Sequence, residues 1–422
     1  MRLPPAPPGP TRESFWRSPL RGPWLTATLG SLLLPLVLVV GVTGFISNAA
    51  YQPALGRNAL LPPGGVQPFG FGWPASPSWL YALNQGVHVT VGIVAVPLLL
   101  AKLWSVAPRL FAWPPVRDPA HAIERLSLVG LVGGAIFEFV TGILNAQLYY
   151  PWHFNFVVAH YYGAWVFLAA LAIHVTIKLP VMIRAWRGRG VLAPLRADLE
   201  HTLSEPYEPG SLAPPQPAAP TISRRGLLAL GGSASAGLLV VTVGQSAGGP
   251  LRRLALLAPR GQSIVDDGPN GFAVNKTAAT AGVTRRATGP DWRLTIAGAE
   301  RRVLSRQELL AMQQGEHDLP IACVEGWSTT QHWSGVPLRD LAALIQAPPG
   351  SVLRVESLQP HGVLRRATLG EAQHTDERAL LALRVNGVDL SLDHGYPARI
   401  IVPALPGVHC TKWVTTLTWV RS

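Results

Sequence analysis

Three histidines of this chain lie inside apolar stretches that carry almost no charge. His160 and His174 are 14 residues apart, which in an α-helix is close to four whole turns and about 21 Å of rise. Both side chains would therefore point from one helix face at two depths. A histidine among apolar residues marks function by default, and a hydrogen-bonded structural histidine is the alternative. Two imidazoles at two depths are the arrangement that two stacked haems require.

A third histidine, His88, completes one such site. It lies some seven residues into another apolar run, at a depth matching that of His160. Because neutral imidazoles on facing helices can bind a haem iron axially, we expect His88 and His160 to hold an outer b-type haem. A second, inner haem would use His174 with His121, the nearest remaining histidine. Lys102 stands 14 residues after His88, where another histidine would complete two pairs on two helices.

Glu138 is the only charged residue between Leu126 and Ile177. A carboxyl group in a membrane segment is costly, and it either relays protons or pairs with a polar neighbour. The sequence leaves both roles open.

The chain has only two cysteines, Cys323 and Cys410. Two thiols exclude a disulfide scaffold and a four-thiolate zinc or iron–sulfur site. Cys323 follows a short apolar strand and precedes a Glu-Gly-Trp-Ser turn, and a thiolate placed there can bind a soft metal. The alternatives are a buried structural cysteine and a disulfide between the two cysteines, which an oxidising compartment would permit.

The composition indicates a membrane protein. Hydrophobic residues make up 48% and charged residues 14% of the 422 residues, with a mean hydropathy of +0.25, which excludes a disordered chain and an ordinary cytosolic enzyme. The net charge is +12. In the first half of the chain the basic residues stand in short loops between apolar runs, which is typical of the cytoplasmic side of membrane proteins. We therefore expect a membrane as partner and no nucleic acid.

Apolar runs long enough to cross a bilayer predict a membrane all-α helical bundle of five spans. The first four are expected at 24–46, 81–104, 126–147 and 159–179, and the fifth at 224–247. Basic residues cluster before the first, after the second and after the fourth span, which places these ends in the cytoplasm. The clusters are Arg2, Arg12, Arg17 and Arg21, then Lys102, Arg109 and Arg117, then Lys178, Arg184, Arg187, Arg189 and Arg196.

The expected domains follow from these spans. Residues 1–23 are a cytoplasmic N-terminus, 24–185 a four-helix bundle, 186–223 a cytoplasmic linker rich in Pro and Ser, and 248–422 a domain outside the cytoplasm, on a bacterial inner membrane. Ser223, Arg224 and Arg225 stand at the start of the fifth span, before a Gly- and Ala-rich stretch. This arrangement resembles a twin-arginine export signal, which carries folded cargo. Alternating runs of Val, Ile, Leu, Thr and Trp in the last domain predict strands, with two helical segments among them, hence an α+β fold.

Residues 20–185 resemble the cytochrome b subunits of membrane-bound nickel hydrogenases and formate dehydrogenases, which are four-helix di-haem proteins that exchange electrons with quinone. The resemblance rests on the three membrane histidines and on the helix count. It implies quinone or quinol as a partner. It departs at the inner site, because no histidine stands at the start of the first helix.

The run Cys-Val-Glu-Gly-Trp-Ser from Cys323, followed by Trp-Ser-Gly-Val-Pro-Leu, resembles the sulfite-oxidase-fold molybdenum enzymes. It is similar in particular to the branch of the periplasmic methionine sulfoxide reductase catalytic subunit. The resemblance implies a sulfite-oxidase-like molybdopterin-binding domain in which the Cys323 thiolate binds molybdenum. The sulfite oxidases of the family have Gly-Asn-Arg-Arg after the cysteine, and this chain does not.

Further residues fall at cofactor-contact positions of that family. Cationic side chains and backbone N–H groups suit a ligand with a phosphate and a polar pterin. For Arg399 and Lys412 a solvated surface charge is the alternative. The resemblance implies cofactor contacts for the loop 270–275, which begins with Asn270, and for Ser357, His394, Arg399, Cys410, Thr411 and Lys412.

Together these features predict a membrane oxidoreductase that passes electrons between quinol, haem and an extracytoplasmic molybdenum centre and reduces a small S-oxide or N-oxide. Three alternatives stay open. They are a sulfite-type dehydrogenase running in the opposite direction, a haem membrane protein with a cofactor-free binding module, and a transporter with a sensor domain.

Overall fold

The computed structural model describes residues 5–51, 72–258 and 268–421. Within these ranges, five helices are long and apolar enough to cross a membrane by length and composition. The prediction of five apolar helices of spanning length is confirmed. They are α1 (Pro23–Tyr51), α2 (Leu80–Leu110), α3 (Pro119–Ala146), α4 (Phe156–Arg189) and α5 (Arg224–Ala247).

Several helices extend beyond the predicted spans. α1 continues five residues past the predicted end at 46, and α4 continues ten residues past 179. An apolar run identifies only the hydrophobic part of a helix. The helix itself ends where the backbone leaves the helical conformation. α4 stops at Gly190, whose φ of +74° is the left-handed conformation of a helix C-terminus and whose N–H donates to the carbonyl of Trp186 at 2.7 Å.

The segment predicted as a linker contacts the start of α1. The carboxylate of Glu205 accepts a hydrogen bond of 3.1 Å from the backbone N–H of Trp24. N–H groups in the first turn of a helix have no partner within the helix, so Glu205 satisfies one of them. Arg224, the first arginine of the predicted export signal, is buried and donates to the carbonyls of Pro19 and Leu203.

The C-terminal part contains ten strands among its described residues, together with short helices. This mixture confirms the predicted combination of strands and helices. The helices are α6 (Ala278–Ala281), α7 (Arg306–Ala311), α8 (Leu338–Leu344) and α9 (Glu371–His374). The strands are β1 (Arg293–Ala297), β2 (Arg301–Ser305), β3 (Gly315–Ala322), β4 (Ser328–Pro337), β5 (Ser351–Ser357), β6 (Arg366–Leu369), β7 (Leu380–Val385), β8 (Val388–Asp389), β9 (Arg399–Ile401) and β10 (Val414–Arg421).

These strands form two sheets of five strands each. The first has the order β2-β1-β10-β5-β6, in which β1 and β10 are parallel and the other neighbours antiparallel. The second has the order β3-β4-β7-β8, with β9 paired to β7, and all its pairs are antiparallel. Alternate residues such as Leu353, Val355 and Leu417 are fully buried in the core, as the two-residue period of a strand requires.

The chain divides into two compact units, which are described separately. Both sheets belong to the second unit, together with the end of α1 and the start of α2. The first unit is Met1–Gly41, Val91–Leu144 and Ala159–Val240, and the second is Val42–Thr90, Asn145–Val158 and Val241–Ser422.

Candidate active site

Cys323 is the first residue after β3 and begins a tight turn, as the sequence predicted. Its N–H donates to the carbonyl of Trp327 at 2.9 Å, and its own carbonyl accepts from the N–H of Gly326 at 3.0 Å. Gly326 has a φ of +90°, a conformation that glycine adopts without steric cost. The turn thereby holds the buried Cys323 at the end of the strand.

The second cysteine, Cys410, is also buried, and both thiols are free. The disulfide considered from the sequence is therefore not formed. Burial raises the pKa of the Cys410 thiol, and the charge of Arg399 opposes that rise.

Arg399, the first residue of β9, lies beside both thiols. Its guanidinium is buried, donates to the carbonyl of His394 at 3.2 Å and lies 5.6 Å from the ring centre of Trp333. Burial lowers the pKa of Arg399 to about 10, and Cys410 and Cys323 act against this decrease because both are close. The alternative of a solvated surface charge is thus wrong for Arg399.

His394 is held between a ring and a carbonyl. It stacks on Phe272 with ring centres 3.7 Å apart, and its Nε2 lies 2.9 Å from the carbonyl oxygen of Asn270. Burial, together with the charges of Arg399 and Lys412, lowers the pKa of His394 to about 3. The imidazole is therefore neutral at pH 7, and with the proton on Nε2 its Nδ1 can accept a hydrogen bond.

The side chain of Asn270 forms hydrogen bonds to the backbone of the segment that precedes His394. Its side-chain Nδ2 donates to the carbonyl of Asp389 at 3.1 Å, and its Oδ1 accepts from the N–H of Ser391 at 2.9 Å. This position makes Asn270 a structural anchor for the loop that carries Phe272.

Lys412 is buried and lies close to His394. Its Nζ donates to the carbonyls of Asp393 at 2.7 Å and of Lys276 at 2.9 Å. Its own carbonyl accepts a hydrogen bond of 2.8 Å from the hydroxyl of Ser357. Lys412 is therefore no solvated surface charge, and Ser357 supports its backbone.

A cleft brings three of the predicted residues together. Cys410, Thr411 and Lys412 line it. Asn275, the last residue of the predicted contact loop 270–275, also lines it. Lys276 and Gln359, which the sequence reasoning missed, line it as well. Lys276 donates to the side-chain oxygen of Gln359 at 2.9 Å. Lys276 directly follows the predicted contact loop 270–275, and its positive charge is the sequence feature that could have predicted its role.

Residues 281–422 match the family model of the oxidoreductase molybdopterin binding domain. This part of the chain is a molybdopterin-binding oxidoreductase domain. The match covers β1 to β10 and includes Cys323 and Arg399. Asn270, Asn275 and Lys276 lie just before it.

Two curated relatives agree with this assignment. A nitrate reductase (NADH) of Volvox carteri is 31% identical over 102 residues, which are 22% of this chain and 12% of that protein. A sulfite oxidase of Gallus gallus is 32% identical over 97 residues, which are 21% of this chain and 21% of that protein. The chain therefore spans between 12% and 21% of the length of these relatives. The matches indicate an oxidoreductase.

One solved structure has a similar part. The sulfane dehydrogenase SoxCD from Paracoccus pantotrophus is 25% identical, over 32% of this chain and 39% of that chain, with a TM-score of 0.30.

The molybdopterin domain has polar atoms placed to receive such a cofactor. Arg399 Nε, Thr411 Oγ1 and His394 Nδ1 are buried, and none has a hydrogen-bond partner among the described residues. A buried polar atom without a partner costs about 1–3 kcal/mol, so a ligand that satisfies these atoms is favoured. Two donors and one acceptor, beside the cations Lys276 and Lys412, match the phosphate and the mixed polar edge of a pterin.

The histidines of the apolar helices contact threonine and glycine residues. His160 Nδ1 lies 3.0 Å from the hydroxyl of Thr141 and 3.2 Å from Glu138 Oε2. A Cβ atom added to Gly142 would come within 3.3 Å of the same ring. Glu138 therefore pairs with a polar neighbour, as one of its two predicted roles required.

His88, which belongs to the second compact unit, also contacts a threonine and a glycine. Its Nδ1 lies 3.3 Å from the hydroxyl of Thr43, and a Cβ atom added to Gly44 would come within 2.9 Å of its ring. Residues 42–44 and 140–142 both read Val-Thr-Gly. Each histidine ring thus lies against a Thr-Gly pair on a neighbouring helix, although one pair belongs to each unit.

The two remaining histidines among the predicted haem ligands, His121 and His174, have different surroundings. His121 lies at the start of α3, where its Nδ1 accepts from the N–H of Arg117 at 3.1 Å and its own N–H donates to Asp118 at 2.8 Å. His174 lies close enough to Lys102 for their charges to interact, and Lys102 Nζ donates to the carbonyl of Thr26 at 2.6 Å.

Proposed function

We propose that this chain is a membrane-bound molybdopterin-dependent oxidoreductase that passes electrons from quinol through b-type haem to an extracytoplasmic molybdenum centre. The proposal rests on one observation, which is that two features occur in the same chain. The Cys323 site lies in a molybdopterin domain, and two imidazoles on apolar helices each contact a threonine hydroxyl. A molybdenum centre that transfers oxygen atoms needs a supply of two electrons, and a haem carries electrons one at a time.

The cofactor-binding roles follow from the contacts. The Cys323 thiolate is proposed as the protein ligand of molybdenum. Arg399, Thr411 and Lys412 would bind phosphate and pterin oxygens, and neutral His394 would accept from a pterin N–H. Bound molybdenum would supply the oxygen-atom transfer. The chain's own part is to hold the cofactor, to neutralise its phosphate and to exclude water from the buried thiol.

Haem ligation by His88 and His160 is supported by their threonine contacts. A hydrogen bond to Nδ1 orients an imidazole ring and assigns Nε2 to the metal. Both histidines have such a bond. That they share one iron remains the expectation from their equal depths in the sequence. The alternative is that His174 and His121 bind a second haem. The number of haems per chain distinguishes one haem site from two.

We propose reduction of a small S-oxide or N-oxide as the reaction. Quinol gives two electrons and two protons on becoming quinone, and the S-oxide takes two electrons and two protons and leaves as sulfide and water. The choice of direction rests on the Cys-Val-Glu-Gly-Trp-Ser run and on the lack of Gly-Asn-Arg-Arg after Cys323.

The second candidate is a dehydrogenase of sulfite type that runs in the opposite direction. It is favoured by the similarity to a protein named sulfite oxidase. The match to a molybdopterin binding domain speaks against the two remaining alternatives, the cofactor-free binding module and the transporter with a sensor domain.

Metal analysis and absorbance spectra of the purified full-length protein test the proposal. We expect about one molybdenum per chain and a b-type haem spectrum. Dimethyl sulfoxide should then reoxidise the dithionite-reduced haem, and sulfite should not reduce the oxidised haem. Rapid haem reduction by sulfite without reoxidation by the S-oxide would establish the second candidate. A protein loaded in a competent host that held neither metal would contradict both.

A further inference from the structure

The turn that follows Cys323 is bonded to α2. Gln85 Nε2 donates a hydrogen bond of 2.6 Å to the carbonyl of Val324, the residue next to Cys323. The other end of the same amide, Oε1, accepts from the hydroxyl of Ser47 at 2.7 Å. Because both ends have partners, the Gln85 side chain is held in one orientation, with its N–H directed to the turn. Gln85, Ser47 and the turn all belong to the second compact unit.

α5 binds the same turn from another direction. The Ser246 hydroxyl donates to the carbonyl of Gly326, and the Ser246 carbonyl accepts from the hydroxyl of Ser328 at 2.7 Å. The helices themselves come close here, since a Cβ atom added to Gly86 would lie 2.8 Å from the Cβ of Ser246. Two helices therefore hold the turn through backbone carbonyls on both sides of Glu325.

A packing contact reinforces these hydrogen bonds. A Cβ atom added to Gly326 would lie 2.7 Å from the Cβ of Val89, so the turn lies directly against α2. Gln85, His88 and Val89 are three and four positions apart, which places them on one face of the helix. The helix face that contacts the Cys323 turn therefore also carries His88, whose ring binds Thr43.

From these contacts we infer that residues 85–89 of α2 are the electron-transfer contact between the haem site at His88 and the Cys323 site. Gln85 is a positioning residue, which holds the Val324 peptide beside the helix. Ser246 does the same for Gly326 from α5. Along this contact a bound haem would pass electrons, one at a time, to bound molybdenum. The inference rests on the proposed function.

The test is the rate of intramolecular electron transfer, which requires no substrate. In the full-length protein loaded with both cofactors, a laser flash with a flavin photosensitiser reduces the haem, and the decay of reduced-haem absorbance reports transfer to molybdenum. Gln85→Leu and Ser246→Ala should slow this decay about 10-fold, the lower end of the loss in activity that follows removal of a group supporting a metal site. Their haem spectra and molybdenum contents should equal those of the wild type.

Matched controls use the same side-chain types. Gln147→Leu removes an amide that donates to the carbonyl of Leu257 at 2.9 Å, and Ser235→Ala removes an α5 hydroxyl that donates to the carbonyl of Val94 at 2.8 Å. Neither touches the Cys323 turn, so both should keep the wild-type rate.

Wild-type rates in Gln85→Leu and Ser246→Ala, with both cofactors retained, would overturn the inference and leave the proposed function standing. A wild-type protein without haem or molybdenum would overturn the proposed function and the inference with it. Ser246→Ala removes a single hydroxyl group and decides the matter if Gln85→Leu does not fold.

Discussion

Gln85 of α2 donates a hydrogen bond to the carbonyl of Val324, the residue that follows Cys323, and His88 stands three positions after Gln85 on the same helix. A glutamine in an apolar helix is costly unless its amide is bonded. Here the amide joins a helix of spanning length to the turn of the molybdopterin domain that carries the thiol. The helix and the domain therefore share one polar contact at the candidate active site.

His88→Ala and His160→Ala should each abolish the same haem signal, because each removes one of the two proposed axial ligands. His174→Ala should spare that signal. Redox-resolved absorbance and haem extraction measure this. Full haem content in the His88 variant would refute the ligand pair, and loss of a second haem in His174→Ala and His121→Ala would establish an inner site.

Arg399→Met should weaken molybdopterin binding about 10- to 100-fold, the usual loss of affinity when a group supporting a bound metal centre is removed. The methionine keeps an unbranched stem at this position and removes the donors of the guanidinium. Arg384→Met is the control, since Arg384 lies on the exposed side of β7 and pairs with Asp389 at 3.4 Å. Equal cofactor release from both variants, measured by fluorescence of the oxidised pterin, would refute the role of Arg399.

Acid should destabilise the molybdopterin domain in part through His409. Burial lowers the pKa of this imidazole from 6.5 to about 4, and the backbone of Ala50 and Tyr51 limits the decrease. The unfolded chain therefore binds more protons than the folded chain between pH 6.5 and about 4, so stability falls as the pH falls through this window.

Replacing His409 tests that window. His409→Gln should reduce the pH dependence of the free energy of unfolding by up to about 1.4 kcal/mol per pH unit within it, and should leave the dependence above pH 7 unchanged. Denaturant unfolding at several pH values measures the slope. An unchanged slope below pH 6 would show that His409 is protonated in the folded domain.

The molybdopterin domain should lie outside the cytoplasm. Arg224 and Arg225 begin α5, and basic residues stay on the cytoplasmic side of a span. A reporter that is active only in the cytoplasm should be silent when fused to the C-terminus and active when fused within the loop around Arg117. The reverse pattern would invert the topology.

The sequence predicted elements with regular patterns and missed those without them. β1, β5 and β10 alternate apolar and polar residues, and each was predicted as a strand. β4, the longest strand of the described chain, was not predicted because its run Ser-Thr-Thr-Gln-His is polar. It is a strand because it pairs with β3 on one side and β7 on the other, and no periodicity in its own sequence indicates this pairing.

Site residues divide in the same way. Cys323 and Arg399 stand in recognisable motifs, and the fold brings them together. Lys276, His409 and Gln85 were not predicted, because their partners are distant in the chain and meet them only through the tertiary fold. For Gln85 the partner is Val324, 239 positions away.

The most direct test of the account is the fate of reduced haem in the full-length protein with and without the Cys323 thiol. On anaerobic mixing with dimethyl sulfoxide in a stopped-flow spectrometer, the wild type should reoxidise its haem. Cys323→Ser should leave it reduced, with an unaltered haem spectrum, because the thiolate is the proposed protein ligand of molybdenum. Haem that is reoxidised equally fast in Cys323→Ser would contradict the account, since electrons would then reach the S-oxide without the molybdenum site.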